Sequence, residues 1–418
     1  MAAINKGSYD QPPVVSVSPH EPRDSHRTPA AYSITSPNTA NQPAKVNPVS
    51  ATAQPARSLV MVITELDEGG AEKAFVRIAC GLKARGWQVQ VVSLRDAGRL
   101  AEPLQKNGIP VTALEARGIS AVLALPRLAA LLRRVHPDVV FSFLHQANLL
   151  SRLAGWLVGV RHRVSGIRVV DRRRLVILPE RLTRRLSTHY VACSESVARE
   201  HSRLCGIPAA RMTVIRNGVD VDELQQATPL PRHELGLAPQ DFVVLMAGRL
   251  TPQKSPHVVL QALEQLRHRS LPRRIRLLIA GEGPERAPLE TLAQSLPDPS
   301  AVTFLGWRSD LPRLMKTADL CVLTSAWEGL PNVLLEAHAT GLPVAATAVD
   351  GCQDLVQPGI TGQLFAPNNP GELARILESQ LLDPTAARTM AARALANVQE
   401  SGRWEDCIEQ SDQLLRRL

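Results

Sequence analysis

Two glutamates in the stretch SAWEGLPNVLLEAHATG, residues 325–341, have side chains suited to binding a ligand. A buried strand-like run ends at Ser325, and a short helix is predicted from the Gly-Leu-Pro that follows Glu328 to Gly341, because proline is tolerated in a first helical turn and glycine typically ends a helix. Glu328 then lies in the strand-to-helix loop, and Glu336 lies near the second turn. Glu336 has leucine and alanine neighbours of the buried type, so we expect it to accept hydrogen bonds from a ligand's hydroxyl groups. The alternative is a glutamate on a solvated helix face.

Two cations follow an earlier strand-like run, in the sequence MAGRLTPQKSP over residues 246–256. The guanidinium of Arg249 and the ammonium of Lys254 would lie just past the strand end and would suit a diphosphate. Exposed surface cations are the alternative. The next strand-like run leads into AGEGPER, which lacks the third glycine of the dinucleotide motif, so a Rossmann oxidoreductase is disfavoured.

A glycine pair follows the first strand-like run, in ELDEGGAEKAF. Gly69 and Gly70 would let the backbone approach a ligand closely, and the helix start after them offers N–H groups to an anion. A plain strand-to-helix turn is the alternative, because the sequence is neither a P-loop nor G-x-G-x-x-G.

Strand-like and helix-like segments alternate from residue 58 onward. Near-continuous apolar strands separated by helices predict parallel sheets covered on both faces. The expected fold is therefore α/β, with two Rossmann-like doubly wound domains that face each other across a cleft, and the ligand crevice at the carboxyl ends of the strands. The strand-like runs are 58–66, 87–94, 109–115, 137–144, 162–167, 188–194 and 211–218, then 242–248, 275–281, 302–306, 319–325 and 342–347.

The change of composition along the chain predicts four parts. Residues 1–56 are rich in Pro, Ser, Ala, Asn and Thr and predict a disordered tail. The first domain spans 57–225 and the second spans 226–400. A C-terminal helix at 401–418 could return to the first domain. A polar segment with three prolines, Asp220–Asp241, is interpreted as the linker.

Length and composition exclude several classes of protein. At 418 residues, with 44% apolar residues, two globular cores are expected. No apolar run approaches the roughly 18 to 20 residues that span a bilayer, and no secretory signal is present. We therefore expect a protein that is cytoplasmic or peripheral at the inner face of the membrane. The six cysteines form no C-x-x-C pair and the eleven histidines form no ligand cluster, so no protein-held metal is expected.

The net charge of +9 is concentrated between Arg161 and Arg185, where nine arginines accompany only Asp171 and Glu180 as acids. A solvated face is one interpretation. The other is a patch for an anionic membrane surface or a phosphorylated substrate. Nucleic acid is disfavoured because no binding motif or interleaved aromatic residues accompany the charge.

Taken in chain order, these motifs resemble the retaining glycosyltransferases of family 4, which have the two Rossmann-like domains of the GT-B fold. The resemblance covers about 58–400 and includes Gly-Gly-Ala-Glu at 69–72 and VIRNGVD at 214–220. The E-x7-E element is specific in its context, since Gly-Leu-Pro follows the first glutamate and Gly-Leu-Pro-Val follows the second.

The resemblance implies transfer of a hexose-type sugar from a nucleotide diphosphate sugar, most often UDP-linked, with retention, without a required metal and with no other cofactor. Arg249 and Lys254 would hold the diphosphate, Glu328 would contact the donor sugar, and Glu336 would bind the ribose. His145 resembles the family's histidine near the donor sugar, although a lone histidine after a strand is often without function. The other implied donor-binding residues are Gly69, Gly70, Gly248, Gly281, Leu330, Asn332 and Val333.

The sequence departs from the family pattern at three places. Ser255 and Pro256 follow the lysine where glycine is usual, and a later Gly-Gly-x-x-Glu appears as Asp-Gly-Cys-Gln-Asp at 350–354. The arginine-rich segment 161–185 matches no family motif, and we interpret it as an acceptor-binding or membrane surface. The candidate residues there are Arg168, Arg172, Arg173 and Arg174.

These expectations favour a glycosyltransferase acting on a lipid-linked or polysaccharide acceptor in cell-envelope synthesis. A nucleotide-sugar epimerase of related fold and a non-catalytic nucleotide-sugar binding module are the alternatives. The binding module is disfavoured because the two cations and the two glutamates occur together.

Overall fold

Two parallel sheets organise the fold, and the computed structural model describes residues 57–67, 69–116 and 123–418. The predicted tail at 1–56 lies outside the described residues. The prediction of two doubly wound, Rossmann-like parallel-sheet domains is confirmed.

The first sheet has seven strands in the order β3-β2-β1-β4-β5-β6-β7, all of them parallel. Its central strands are fully buried, because helices cover both faces, and this burial explains their continuous apolar sequences. The strands are β1 Ser58–Ile63, β2 Gln88–Ser93, β3 Val111–Ala113, β4 Val139–Phe143, β5 His162–Ile167, β6 His189–Ala192 and β7 Met212–Val214.

The second sheet has six parallel strands in the order β10-β9-β8-β11-β12-β13. Apolar clusters lie on both of its faces. The strands are β8 Phe242–Ala247, β9 Ile275–Ala280, β10 Val302–Gly306, β11 Leu320–Leu323, β12 Val344–Thr347 and β13 Gln363–Phe365.

The helices that the structure describes connect and cover these strands, and none of them is both long and apolar enough to cross a bilayer. Their bounds are α1 Gly70–Ala84, α2 Ala101–Lys106, α3 Ala124–Val135, α4 His145–Leu157, α5 Arg174–Thr183, α6 Glu195–Cys205, α7 Val221–Gln226, α8 His257–Gln265, α9 Arg286–Gln294, α10 Leu311–Thr317, α11 Asn332–Thr340, α12 Asp350–Gln353, α13 Pro370–Leu382, α14 Pro384–Ser401 and α15 Trp404–Arg417.

The strand order reverses at one point in each sheet. In the first sheet β1 lies between β2 and β4, and in the second sheet β8 lies between β9 and β11. Connections therefore leave in opposite directions and open a crevice at the carboxyl ends of these strands. The segments between β1, β4, β8 and β11 and the first turn of the helix that follows each of them carry the glycine pair, His145, the two cations and Glu328, respectively.

An apolar cluster joins the two domains. It contains Ile167 and Val170 from the region after β5, Val197 from α6, and Leu330 and Leu335 from the second domain. The two sheets are thus held by a shared core in addition to the connecting chain.

The last helix, α15, packs against the first domain. The indole N–H of Trp87 donates to Asp412 at 2.6 Å, and both groups are buried. Cys407 and Leu415 belong to the same apolar cluster as Phe75.

The segment 220–241, interpreted as the linker, lies between β7 and β8 and contains α7, which buries Val221 and Leu224. One predicted boundary differs in the structure. The helix α11 begins at Asn332 rather than at the preceding Gly-Leu-Pro, because Pro331 has the extended backbone of an N-cap residue.

Candidate active site

Lys254 and Glu328 form an ion pair at the carboxyl edge of the second sheet. The lysine Nζ lies 2.5 Å from Oε1 of Glu328, and the same carboxylate oxygen accepts a hydrogen bond from Ser325 at 2.6 Å. Glu328 is buried, and the Lys254 side chain is about one-fifth exposed. The two residues come from the loops after β8 and β11, which are neighbouring strands, so parallel pairing brings these loops together. The predicted diphosphate cation and the predicted sugar-binding carboxylate are therefore one unit.

Glu336 lies in the second turn of α11 and is half-buried. Within the described part of the chain, its carboxylate makes no hydrogen bond. Burial raises the pKa of Glu336 to about 7, although the charge of Lys73 on α1 acts in the opposite direction. A half-buried carboxylate that makes no hydrogen bond to the described residues is well placed to accept hydrogen bonds from a ligand.

The start of α1 faces these residues from the first domain. Gly69 is the extended N-cap and Gly70 opens the helix, as the sequence predicts. Burial raises the pKa of Glu72, while the nearby Arg249 guanidinium lowers it. Arg249 is exposed at the end of β8, so its charge reaches across from the second domain to the first helix.

A chain of amide hydrogen bonds joins the domains beside this helix. Asn332, the first residue of α11, donates to the carbonyl of Gly70 at 3.2 Å and accepts from Asn217 at 2.7 Å. Arg168 donates in turn to Asn217. Asn332 was predicted for its backbone N–H, and the structure adds this bridging role for its side chain. Asn217 was not predicted.

Asn332 and Val333 open α11, so their N–H groups have no carbonyl acceptor within the helix. Leu330 is buried in the cluster between the domains, one residue before the N-cap. These predicted residues therefore lie at a helix start that faces the crevice, next to the Lys254–Glu328 pair.

Glycine permits the close approach of backbone at two places. A β-carbon at Gly281 would lie 1.9 Å from the carbonyl oxygen of Gly248, so the ends of β9 and β8 could not come this close with a larger residue. A β-carbon at Gly329 would lie 1.6 Å from the carbonyl oxygen of Arg168 in the other domain. The predicted Gly248 and Gly281 thus shape the strand ends, and Gly329 sets the spacing between domains.

His145 opens α4 and is bound to a carboxylate that sequence reasoning missed. Its Nδ1 lies 3.1 Å from Oε1 of Glu180 on α5, and Arg152 pairs with the other carboxylate oxygen at 2.7 Å. Hydrogen bonds from His145 and the charge of Arg152 outweigh burial and lower the pKa of Glu180 to about 2. Because an ionised carboxylate only accepts hydrogen bonds, Nδ1 of His145 donates to Glu180.

No hydrogen bond or ion pair joins His145 to Lys254, Glu328 or Glu336 among the described residues. Of the donor-side residues, Lys254 and Glu328 are in direct contact, and His145 belongs to the first domain. Leu144, just before it, has a φ of 73°, an uncommon backbone for leucine that directs the chain into α4.

The arginine predictions need one correction. Arg168 is buried, with its guanidinium 4.8 Å from the centre of the Phe143 ring and bonded to Asn217, so it does not belong to a membrane surface. Arg172, Arg173 and Arg174 are exposed. Arg172 lies 3.4 Å from Glu200 and Arg173 pairs with Asp171 at 2.5 Å.

Two further observations concern ligands. Within the described ranges, no group of three His, Cys, Asp or Glu side chains is arranged to hold a metal ion. A cavity of about 250 Å³ is lined by Phe242, Asp319 and Pro343, at the amino ends of the second sheet's strands. That edge is opposite to the Lys254–Glu328 pair, so this cavity is separate from the candidate site.

Comparison with protein families gives two matches. Residues 68–223 match the model described as Glycosyltransferase Family 4, and residues 229–396 match the model described as Glycosyl transferases group 1. The two matches together cover the second sheet and strands β2 to β7 of the first sheet.

Individual relatives agree with these matches. The chain is 29% identical over 285 residues to the UDP-Gal:alpha-D-GlcNAc-diphosphoundecaprenol alpha-1,3-galactosyltransferase of Escherichia coli, covering 63% of this chain and 73% of that protein. It is 29% identical over 367 residues to a D-inositol 3-phosphate glycosyltransferase of Nocardia farcinica, covering 79% of this chain and 81% of that protein. The crystal structure of Anabaena HepE in complex with UDP superposes with a TM-score of 0.76 at 24% identity, covering 86% of this chain and all of that one, which supports the fold.

Proposed function

The chain belongs to family 4 of the glycosyltransferases, and from that premise we propose that it transfers a hexose-type sugar from a UDP sugar to a hydroxyl group of a lipid-linked or polysaccharide acceptor, with retention of configuration. The names of the Escherichia coli relative and of the HepE complex support UDP as the nucleotide. The diphosphoundecaprenol in the first of these names supports a lipid-linked acceptor.

The observation that carries the proposal is the Lys254–Glu328 ion pair beside the start of α11. An ammonium has three N–H donors, and Glu328 engages one of them, at 2.5 Å. The other two are available to the oxygens of a diphosphate. Arg249 and the N–H groups that open α11 supply further positive potential at the same edge.

The two glutamates would bind different parts of the donor. Glu328 is fixed by Lys254 and Ser325, which suits a precise contact with hydroxyl groups of the donor sugar. Glu336, in the second turn of α11, would accept hydrogen bonds from the ribose. His145 is held through Nδ1 by Glu180, and its other ring nitrogen would contact a hydroxyl group of the donor sugar.

Retention would proceed on one face of the sugar. The acceptor oxygen forms its bond to the anomeric carbon as the bond to the diphosphate breaks, and the leaving phosphate oxygen takes the acceptor's proton. Glu328 is a poor candidate for a covalent nucleophile because an ion pair and a hydroxyl group already engage it. Detection of a glycosylated side chain by mass spectrometry during turnover would contradict this scheme.

Lys254 and Arg249 would replace the electrostatic role of a metal ion at the departing diphosphate. We therefore expect turnover to be unchanged when EDTA is added to the full-length protein. A loss of turnover that Mg²⁺ restores would contradict this proposal.

A thermal-shift panel of UDP, GDP, ADP and their common sugar conjugates is the first test. A ligand at 100 times its Kd should stabilise the protein by about 2.7 kcal/mol, which is a measurable shift. We expect UDP and one UDP sugar to stand out. Turnover is then measured as UDP release with a polyprenol-linked acceptor and with a polysaccharide.

The outcomes separate the alternatives. UDP release together with a glycosylated acceptor supports transfer. Interconversion of the nucleotide sugar without transfer would indicate an epimerase, and nucleotide binding without turnover on any acceptor would indicate a binding module.

A further inference from the structure

The outward side of α5 carries three leucines that the fold leaves in water. Leu175, Leu178 and Leu182 are 89%, 58% and 75% exposed. Their spacing of three and then four residues puts them on one stripe of the helix. A stripe of this kind usually packs against the protein core.

The inward side of α5 is, by contrast, partly polar. Glu180 points inward, where it binds Arg152 at 2.7 Å and His145 at 3.1 Å. Thr183 accepts a hydrogen bond from the same arginine at 3.2 Å. The helix is therefore attached to the domain through Glu180, Thr183 and the packing of Ile177, and its three exposed leucines take no part in this attachment.

Arginines flank the leucine stripe. Arg174 and Arg181 on the helix and Arg185 in the following turn are exposed, and Glu180, the one acidic residue of α5, is buried. We define the leucine–arginine face as Arg174, Leu175, Leu178, Arg181, Leu182 and Arg185. This face carries apolar side chains and positive charge, and α5 contributes no negative charge to it.

A second apolar group lies at the end of the neighbouring helix. Arg152 of α4 is bonded to Glu180 and Thr183, so the next turn of α4 continues beside the end of α5. That turn ends in Trp156 and Leu157, each 56% exposed. Tryptophan is characteristic of the boundary between a bilayer and water.

We propose that the leucine–arginine face docks on the surface of an anionic lipid bilayer. Leucines at one helix face can enter the boundary between head groups and acyl chains, while the long arginine side chains reach the lipid phosphates. Charge complementarity selects an anionic bilayer over a neutral one. The proposal does not rest on the nucleotide site, since no residue of that site belongs to the face.

The position of α5 gives this docking a consequence for the cleft. Glu180 on its inward side holds His145, so the bilayer would lie on the outer side of the helix whose inner side supports the candidate site. A lipid-linked acceptor would then approach from the surface to which the protein is attached.

The test is co-sedimentation of the full-length chain with vesicles of phosphatidylcholine alone or of phosphatidylcholine mixed with phosphatidylglycerol. We expect binding to the anionic vesicles and little to the neutral ones, with binding reduced at high salt. The triple variant L175S/L178S/L182S should bind at least about tenfold more weakly. In the triple variant R174Q/R181Q/R185Q, the affinity for the anionic vesicles should fall by about fivefold for each arginine replaced. Leu382→Ser, at a leucine that is 61% exposed at the end of α13, should bind as the wild type does.

Two controls make the result decisive. The melting temperature and the UDP-induced thermal shift of each variant should match the wild type, so a loss of vesicle binding cannot come from unfolding or from failure of the nucleotide site. The proposal would be overturned if the leucine variant bound the anionic vesicles as well as the wild type does. It would also be overturned if the wild type bound both vesicle types equally, or neither of them. So would a wild-type dimer that the leucine variant converts to monomer without any binding to vesicles, since a second copy would then be the partner.

Discussion

Lys254 illustrates how one residue can serve both the free and the occupied site. Its ammonium is paired with Glu328 at 2.5 Å and still has two N–H donors for a diphosphate. The pair therefore holds the cation in place before the donor arrives, which reduces the reorganisation needed when charge develops on the leaving group.

Lys254→Ala should lower kcat by about 100- to 1000-fold, since one contact to a developing anion is worth about 2.7 to 4 kcal/mol. Steady-state UDP release measures this. The matched control is Lys106→Ala, because Lys106 is an exposed lysine that pairs with Glu102 within α2. Near-normal turnover of Lys254→Ala would remove the proposed diphosphate role.

Glu336 should make the ligand-free protein less stable as the pH rises. Its pKa is about 7 in the folded chain, against an ordinary value of 4.5, so folding favours the protonated carboxyl group. The stabilising contribution is complete below about pH 4.5 and is lost as the pH rises through 7. Glu336→Gln removes this loss. As the pH rises from 5 to 8, its free energy of unfolding should increase by about 2 kcal/mol relative to that of the wild type.

Denaturant unfolding at pH 5 and at pH 8 measures the change in the free energy of unfolding. In the wild type, UDP affinity should rise with pH through 7, because the ionised carboxylate is the better acceptor for ribose hydroxyl groups. In Glu336→Gln, UDP affinity at pH 8 should fall by about tenfold. An unchanged UDP affinity would contradict the ribose contact.

At the scale of elements, α4 and α5 are joined by a buried ionic cluster. Glu180 is 2% exposed and Arg152 is 1% exposed. Because the pKa of Glu180 is lowered to about 2, its stabilising contribution is present above the ordinary value of 4.5 and is lost as the pH falls through 2.

Glu180→Gln should reduce the free energy of unfolding at pH 7 by about 3 to 5 kcal/mol, because it leaves the Arg152 guanidinium buried without a counter-charge. Chemical denaturation measures the change. Glu409→Gln breaks an exposed pair with Arg85 and should cost less than about 1 kcal/mol. Similar losses in the two variants would show that the buried cluster contributes no more than a surface ion pair.

The same two helices show where sequence reasoning succeeds and where it stops. The strands and the loops after β8 and β11 were predictable, because buried parallel strands have continuous apolar sequences and their carboxyl ends form the crevice. The role of Glu180 was not predictable from periodicity. In the structure, the three leucines of α5 are exposed and its glutamate is buried.

Contacts between segments that are far apart in the chain could not be predicted from the sequence either. Lys254 and Glu328 were both predicted to lie in the crevice, but their direct pairing depends on β8 and β11 being neighbours. The Asn217–Asn332 hydrogen bond joins residues 115 positions apart, and neither side chain has a local pattern that indicates it.

At the scale of the whole molecule, Gly329 controls how closely the two domains approach. Its α-carbon packs against the Arg168 carbonyl, and its own carbonyl accepts a hydrogen bond from Ser194 at 3.0 Å. Asp354 accepts from the backbone and the hydroxyl of Ser196 at 2.9 and 2.6 Å. These contacts connect the second domain to the start of α6.

Gly329→Ala should separate the domains, because the added carbon would lie 1.6 Å from the Arg168 carbonyl oxygen. Small-angle X-ray scattering should give a larger radius of gyration, and kcat should fall because donor and acceptor sides no longer meet. Gly371→Ala is the control, since its added carbon would meet only side-chain oxygens, that of the flexible Gln265 at 3.1 Å and that of Asn369 at 3.7 Å. An unchanged radius and unchanged turnover would show that this contact does not set the closed form.

The return of α15 to the first domain also has a consequence for biosynthesis. Trp87 and Asp412, which share a buried hydrogen bond, are separated by 325 positions. At about 5 to 20 residues per second, a ribosome needs on the order of tens of seconds to travel from one to the other. During that time the first domain has been synthesised, but α15 does not yet cover the surface that contains Trp87. A nonsense mutation just before α15 would therefore damage the domain that is made first and leave the second sheet with its own core.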